Sequence, residues 1–413
     1  MSGALDGVRV IDLTTVLMGP FATQTLGDLG ADVIKVEPPL GDSTRRIGPM
    51  RNPGMGAGFL HVNRNKRSMV LNLKHPAGHA ALLRLIEGAD VLIYNVRPQA
   101  MARLKLTWKI LSALNPRLIY VGVFGYAQSG PYAAKPAYDD LIQGAIGLPS
   151  MIATVGDGVP RYVPVAIIDR TVGIAAANAV TAALYRREKT GVGQAVDMPM
   201  FETMVPYVLG EHFGGRTFEP SLGPSGYPRM MARDRTPFAT RDGYLCTLIY
   251  TDRHWRDFFA MLGDAARFTS DPRLRDLETR TRHIEALYAE IAEILKTRTT
   301  ADWLERFDAA DIPAMTLNTL ESLPADPHLT ASGYFQLSEH PSEGLIWQMN
   351  PASTWSESPA SIRRGAPRLG EHSAEVLTEI GYSPAAIAEL AACGATRLDR
   401  AAAALTTLTP PPP

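Results

Sequence analysis

The chain has only two cysteines, Cys246 and Cys393, in 413 residues. They lie far apart, so they supply no disulfide framework and no paired thiolates for zinc, and they suit a reducing cytoplasm. Charge of either sign is not in excess: 41 Lys and Arg face 42 Asp and Glu, a formal net charge of −1. No bulk field draws in nucleic acid or an anionic membrane, and an anionic ligand has to be met by local basic groups. The opening "MSGALDGVRVIDL" has no basic region followed by an apolar core, so no secretory signal is expected. Uncharged apolar runs stop short of the roughly 18 residues that a membrane helix needs. The phosphate loops are missing as well. There is no G-x-x-x-x-G-K-[ST], and the turn "TTVLMGPFATQTLGDLG" has no G-x-G-x-x-G, which disfavours ATP and nicotinamide enzymes. Without G-x-S-x-G there is no serine-hydrolase elbow. His75 and His79 are separated by Pro76 and have no third ligand nearby, so they read as surface histidines and no metal is expected.

What is present is the composition of a globular protein, 46% hydrophobic and 20% charged, long enough for about two to three domains. Residues 8–200 alternate strand patterns (8–13, 31–37, 68–73, 90–96, 118–124, 163–169, 195–200) with helix patterns such as "PAGHAALLRLIEGA" (76–89). That alternation predicts an α/β fold with a doubly wound parallel sheet, Rossmann-like, whose ligands gather at the carboxyl ends of the strands. Residues 1–200 are expected to form the first segment of a large domain, and the Gly/Pro-rich stretch 201–235 a linker. A smaller α+β domain follows at 236–325, opening with a hairpin around Asp242-Gly243 and continuing with helices near 252–262, 281–297 and 300–309. Residues 326–395 return to the large domain, with Ser383 and Pro384 as a helix start. The Pro-ending tail 396–413 is expected to fray.

One stretch stands out: "VPVAIIDRTVGIAAANAVTAALY" (163–185). It reads as a buried strand followed by a buried helix, with a single carboxylate, Asp169, at the junction. Taken alone, the window favours an N-cap, which would also complement the helix dipole, although Val172 stands where a capping-box Glu would be.

Polar islands sit at the other strand ends: "GDSTRR" (41–46), "NRNKRS" (63–68), "LNLK" (71–74), "NVRP" (95–98), Arg103 and "KPAYDD" (135–140). They would set Arg45, Lys66, Arg67, Lys74, Arg97, Arg103 and Lys135 around the ligand edge, an arrangement suited to an extended, phosphorylated ligand. The islands, together with "LDGVRVIDLTTVLMGPFATQTLGDLGADVIKVEPPLGD", "REKTGVGQAVD" and "LGEHSAEVL", resemble the family III CoA-transferases, the CaiB/BaiF-like family that includes formyl-CoA transferase. The resemblance runs in order from about residue 4 to 393.

The resemblance implies an interlocked homodimer, a large domain built from both chain ends, and an aspartate nucleophile, which falls on Asp169. It implies CoA contacts at Val16, Leu17, Leu71, Asn72, Lys74, Asn95, Val96, Arg97, Arg103 and Lys135, with Tyr138 and Asp139 as active-site neighbours. Coenzyme A would enter as a substrate thioester and no cofactor would be tightly bound. The partners would be an acyl-CoA donor and a carboxylic acid acceptor. Two departures bear on the substrate: formyl-CoA transferase is polar where Leu17 stands, and "GPSG" (223–226) is a weak match to its glycine run.

The competing readings are an acyl-CoA racemase and a CoA-binding protein without catalysis. A racemase of this type is expected to use a His in a "GHD" motif, but this chain reads "AYD", and a phenol with pKa about 10 is a poor base at neutral pH. Binding CoA without chemistry would leave Asp169 as a helix cap only.

Overall fold

The structure, a computed structural model, describes residues 2–399. Two compact units are distinguishable. Among the described residues the first takes 2–145, 164–204 and 331–399; the second takes 146–163 and 205–330.

In the first unit the strands are β1 (Arg9–Leu13), β2 (Asp32–Glu37), β3 (Lys66–Leu71), β4 (Val91–Tyr94), β5 (Ile119–Phe124) and β6 (Gln194–Pro199). They are parallel, in the order β3-β2-β1-β4-β5-β6. β3, β4 and β5 are buried along their whole length, as expected for strands covered on both faces. The strand order reverses between β1 and β4. Such a switch point opens a crevice outside the carboxyl ends of the two strands, since their following connections leave in opposite directions.

In the second unit β7 (Phe238–Ala239), β8 (Tyr244–Thr247) and β9 (Ala314–Thr316) make a small antiparallel sheet. It packs on an aromatic core that includes Trp255, Phe258, Tyr288, Trp303 and Phe307. The predicted helices appear there as Asp252–Met261, Ile284–Leu295 and Thr300–Ala309. The chain then returns to the first unit with the hairpin β10 (Phe335–His340) and β11 (Gly344–Met349). Ser383 caps the Pro384–Ala392 helix by accepting from Ala386 N–H. β12 (Thr396–Arg397) pairs antiparallel with β3, so the first residues of the expected fraying tail are held in the sheet. The remainder of that tail, from residue 400, lies outside the described residues.

One element differs from the sequence reading. Residues 163–166 form no strand; a helix runs from Ile167 to Thr190. Pro164 cannot donate to a ladder, and β5 already pairs directly with β6. The apolar stripe is helical instead: Ile168, Val172, Ala176, Val180 and Leu184, four residues apart, are all buried. By length and composition this helix could cross a membrane, but here it packs within the first unit against the Met18–Asp28 helix. Gly173 allows the close approach, since a Cβ there would meet the Met18 carbonyl oxygen at 2.8 Å.

Candidate active site

Two stretches descend from the switch point: Thr15–Met18 after β1 and Asn95–Arg97 after β4. Both line a cavity of about 400 Å³ together with Gly125, Lys135, Tyr138 and Asp169. The first stretch is held under tension. Val16 has a φ of 71°, in the left-handed region that a β-branched side chain avoids. Its N–H faces both carboxylate oxygens of Asp42 at 3.3 Å. The Asn95 side chain clamps Thr15 from the other side, accepting from its N–H (3.0 Å) and donating to its carbonyl (2.7 Å).

Asp42 is in turn held by Lys35, which is fully buried on β2 and donates to Asp42 (3.0 Å) and to the Thr14 carbonyl (2.9 Å). Burial alone would raise the Asp42 pKa, but Lys35 and the Thr44 N–H outweigh it and hold the carboxylate below its ordinary range. A charged network therefore lies under the cavity wall.

Asp169 enters from the Ile167–Thr190 helix. The N-cap is Ala166 and Asp169 sits in the first turn, so Asp169 is not the cap that the sequence window favoured. The capping work falls to another carboxylate: Asp139 accepts from the Asp169 N–H at 2.9 Å, and its other oxygen accepts from Gln143 at 2.6 Å. Nor does the helix start hold Asp169 at its ordinary acidity. Burial raises its pKa, the negative charge of Asp139 raises it further, and Arg170 pulls it back only in part, leaving it at about 7. Arg170 itself lies over the Phe21 ring, 4.5 Å from the centroid. Near neutrality the Asp169 carboxyl therefore exists in both protonation states.

The predicted basic set divides. Arg45, Lys66 and Arg67 do not face the cavity. Arg45 makes a bidentate pair with Glu37 under the Phe59 ring, Lys66 is fully buried against Asp12, and Arg67 binds Asp32, Glu375 and Glu379. All three are buried cations, Lys66 and Arg67 on β3 and Arg45 in the turn after β2, where burial demands a paired charge. Leu71 is likewise interior, 1% exposed within the hydrophobic core, and Asn72 uses its side chain to accept from Lys74 N–H. Val16, Leu17, Asn95, Val96, Arg97, Lys135 and Tyr138 line the Asp169 cavity. Lys74 and Arg103 line a neighbouring cavity of about 740 Å³, joined by Lys105, His75 and His79. Ala100 lines both cavities. His75 caps the Pro76–Glu87 helix, His79 bonds the Leu104 carbonyl, and no metal-ligand cluster exists among the described residues.

The residues missed in the sequence are Lys105 and the Asp12, Lys35 and Asp42 network. For Asp12 and Lys35 the signal was present as charges inside the otherwise apolar strands "VRVIDL" and "ADVIKVE". A charge buried on both faces of a parallel sheet calls for a partner on a neighbouring element.

Comparison with known proteins identifies the family of the chain. The family model of CoA-transferase family III matches residues 5–373. The chain is 34% identical to a succinate–glutarate CoA-transferase of Agrobacterium fabrum, over 91% of this chain and 95% of that protein. It is 31% identical to the Homo sapiens succinyl-CoA:glutarate CoA-transferase, over 94% of this chain and 89% of the relative. Among solved structures, a CaiB/BaiF family protein from Brucella suis superposes with a TM-score of 0.76 at 30% identity, covering 92% of this chain and all (100%) of that one.

Proposed function

The chain belongs to CoA-transferase family III and is a CoA-transferase, and we propose that Asp169 is the nucleophile of a covalent, two-stage CoA exchange. The observation that carries this reading is the carboxyl of Asp169 itself, exposed to a cavity at the sheet's switch point with its pKa raised to about 7.

In the first stage the Asp169 carboxylate attacks the carbonyl carbon of the donor thioester. The C–S bond breaks, giving a mixed anhydride and CoA thiolate. The thiolate attacks the aspartyl carbonyl of that anhydride, releasing the donor acid and leaving an aspartyl-CoA thioester. In the second stage the acceptor carboxylate attacks this thioester, and the thiolate returns to the acceptor's acyl carbon, regenerating Asp169. Each step exchanges one activated acyl bond for another, which splits one difficult displacement into easier ones.

Lys74, Arg103 and Lys105 would take the phosphates of CoA in the larger cavity, with the thiol arm passing Ala100 toward Asp169. None of these three cations has a carboxylate partner among the described residues. The names of the two relatives support dicarboxylic acids as donor and acceptor. The working form would be an interlocked homodimer. Its support lies in the apolar side chains left exposed, among them Ile174 (56%), Tyr185 (68%) and Leu222 (75%), which a stable interface would cover.

The test is chemical capture. Wild type incubated with succinyl-CoA and then hydroxylamine is expected to carry hydroxamate on the peptide holding Asp169. Label on another acid, or none, overturns the assignment. Solvent deuterium entering the α-carbon without an acceptor acid would instead favour racemase chemistry.

A further inference from the structure

The second unit contains a cavity of about 360 Å³ that plays no part in the site described above. Its polar wall carries two arginines, Arg229 and Arg235, and no Asp or Glu lines it. Elsewhere in this unit arginines find carboxylates: Arg273 binds Asp271 and Glu290, and Arg280 binds Asp252. Neither Arg229 nor Arg235 has such an ion pair among the described residues.

Arg229 is nonetheless held in place. Its guanidinium lies 5.8 Å from the Tyr227 ring centroid and 5.5 Å from that of Tyr250. Its Nε is buried and without a hydrogen-bond partner. A buried donor left unmade costs stability, and this cation, fixed between aromatic faces, has no carboxylate among the described residues to balance its charge. Pro237, Phe238 and Leu248 add carbon surface to the same wall. Guanidinium forks beside carbon surface match a carboxylate on a short carbon chain better than a bare inorganic anion. The volume lies within the usual range for small-molecule pockets.

We propose that the second unit binds a small organic carboxylate through Arg229 and Arg235. The choice of carboxylate as the anion rests on the acid-exchange reading above.

Cys246 lines this cavity and provides a local probe, while Cys393, the other thiol, is exposed. In the full-length Cys393→Ser protein, the rate of iodoacetamide alkylation at Cys246 is followed by mass spectrometry with added glutarate. Saturating glutarate is expected to slow it about tenfold, and Arg229→Gln together with Arg235→Gln to abolish the protection. Arg235 is exposed, so Arg235→Gln alone leaves the fold intact and is expected to weaken glutarate about tenfold, the scale of one charge-assisted bond. No protection by glutarate, protection that survives both substitutions, or equal protection by inorganic phosphate at matched ionic strength overturns the site. Hydroxylamine capture at Asp169 is measured on the same proteins. In the Cys393→Ser protein with both arginines in place, protection without capture refutes the nucleophile, and capture without protection refutes this site.

Discussion

Replacing Asp169 by Asn separates its electrostatic cost from its chemistry. In the unfolded chain the group titrates near its ordinary 3.8, and in the fold at about 7. The folded state therefore holds the proton more tightly than the unfolded state. Below the unfolded pKa both states are protonated and no penalty exists; as pH rises from about 4 to about 7 the wild type loses stability, and above that the loss is complete. Three units at about 1.4 kcal/mol each set an upper bound of roughly 4 kcal/mol. Partial exposure to the cavity screens this, leaving about 1–3 kcal/mol. Asn carries no charge and escapes the penalty. Urea unfolding of both proteins at about pH 4.5 and about pH 8 is expected to show near equality at the lower pH and an Asn variant about 1–3 kcal/mol more stable at the higher. Transferase turnover should meanwhile fall by more than about a thousandfold, since a covalent nucleophile has been removed. A stability difference that does not change with pH would refute the raised pKa. Turnover within a few-fold of wild type would refute the nucleophile.

Asp139→Asn keeps an oxygen to accept from the Asp169 N–H but removes the neighbouring charge, so the acidic limb of kcat/KM, expected near pH 7, should move to lower pH; an unmoved limb in the pH profile refutes the coupling. Arg103→Ala should weaken CoA binding by about 1.5–3 kcal/mol in calorimetry with the fold unchanged, and an unaltered affinity would return Arg103 to the solvent. Asp42→Asn leaves Lys35 buried without its partner and releases the Val16 N–H, so urea unfolding should show a loss of about 3–5 kcal/mol and kinetics a raised KM for the acyl-CoA; a loss below about 1 kcal/mol would show that the network carries no load.

The strands and helices of the first unit were legible because a buried parallel strand and an amphipathic helix leave different periods in the chain. β5 was read at 118–124 and found at Ile119–Phe124; the helix read at 76–89 runs from Pro76 to Glu87. The error at 163–169 has a local cause. Its four β-branched residues suit a strand, but three of them also begin or flank a helical stripe that only becomes visible over twenty residues. The helix won because its stripe, Ile168 to Leu184, had a surface to meet on the Met18–Asp28 helix, and a strand at that place had no free ladder to join.

Charge was harder to read than periodicity, and for a physical reason. "NRNKRS" and "GDSTRR" look like solvated or ligand-facing turns because Arg, Lys and Asp are rarely buried, yet Arg45 and Lys66 are almost fully enclosed. A buried cation is set by a partner distant in the chain: Asp12 lies 54 residues from Lys66, and Glu379 lies 312 from Arg67. The same holds for Asp169. Asp169 could be singled out as a lone carboxylate between apolar elements, but its rise to about 7 comes from burial in the fold and then from the charge of Asp139, 30 residues away, which also accepts from its backbone N–H. Composition places the acid; the switch point between β1 and β4 gathers segments after three different strands around the one cavity that this acid lines.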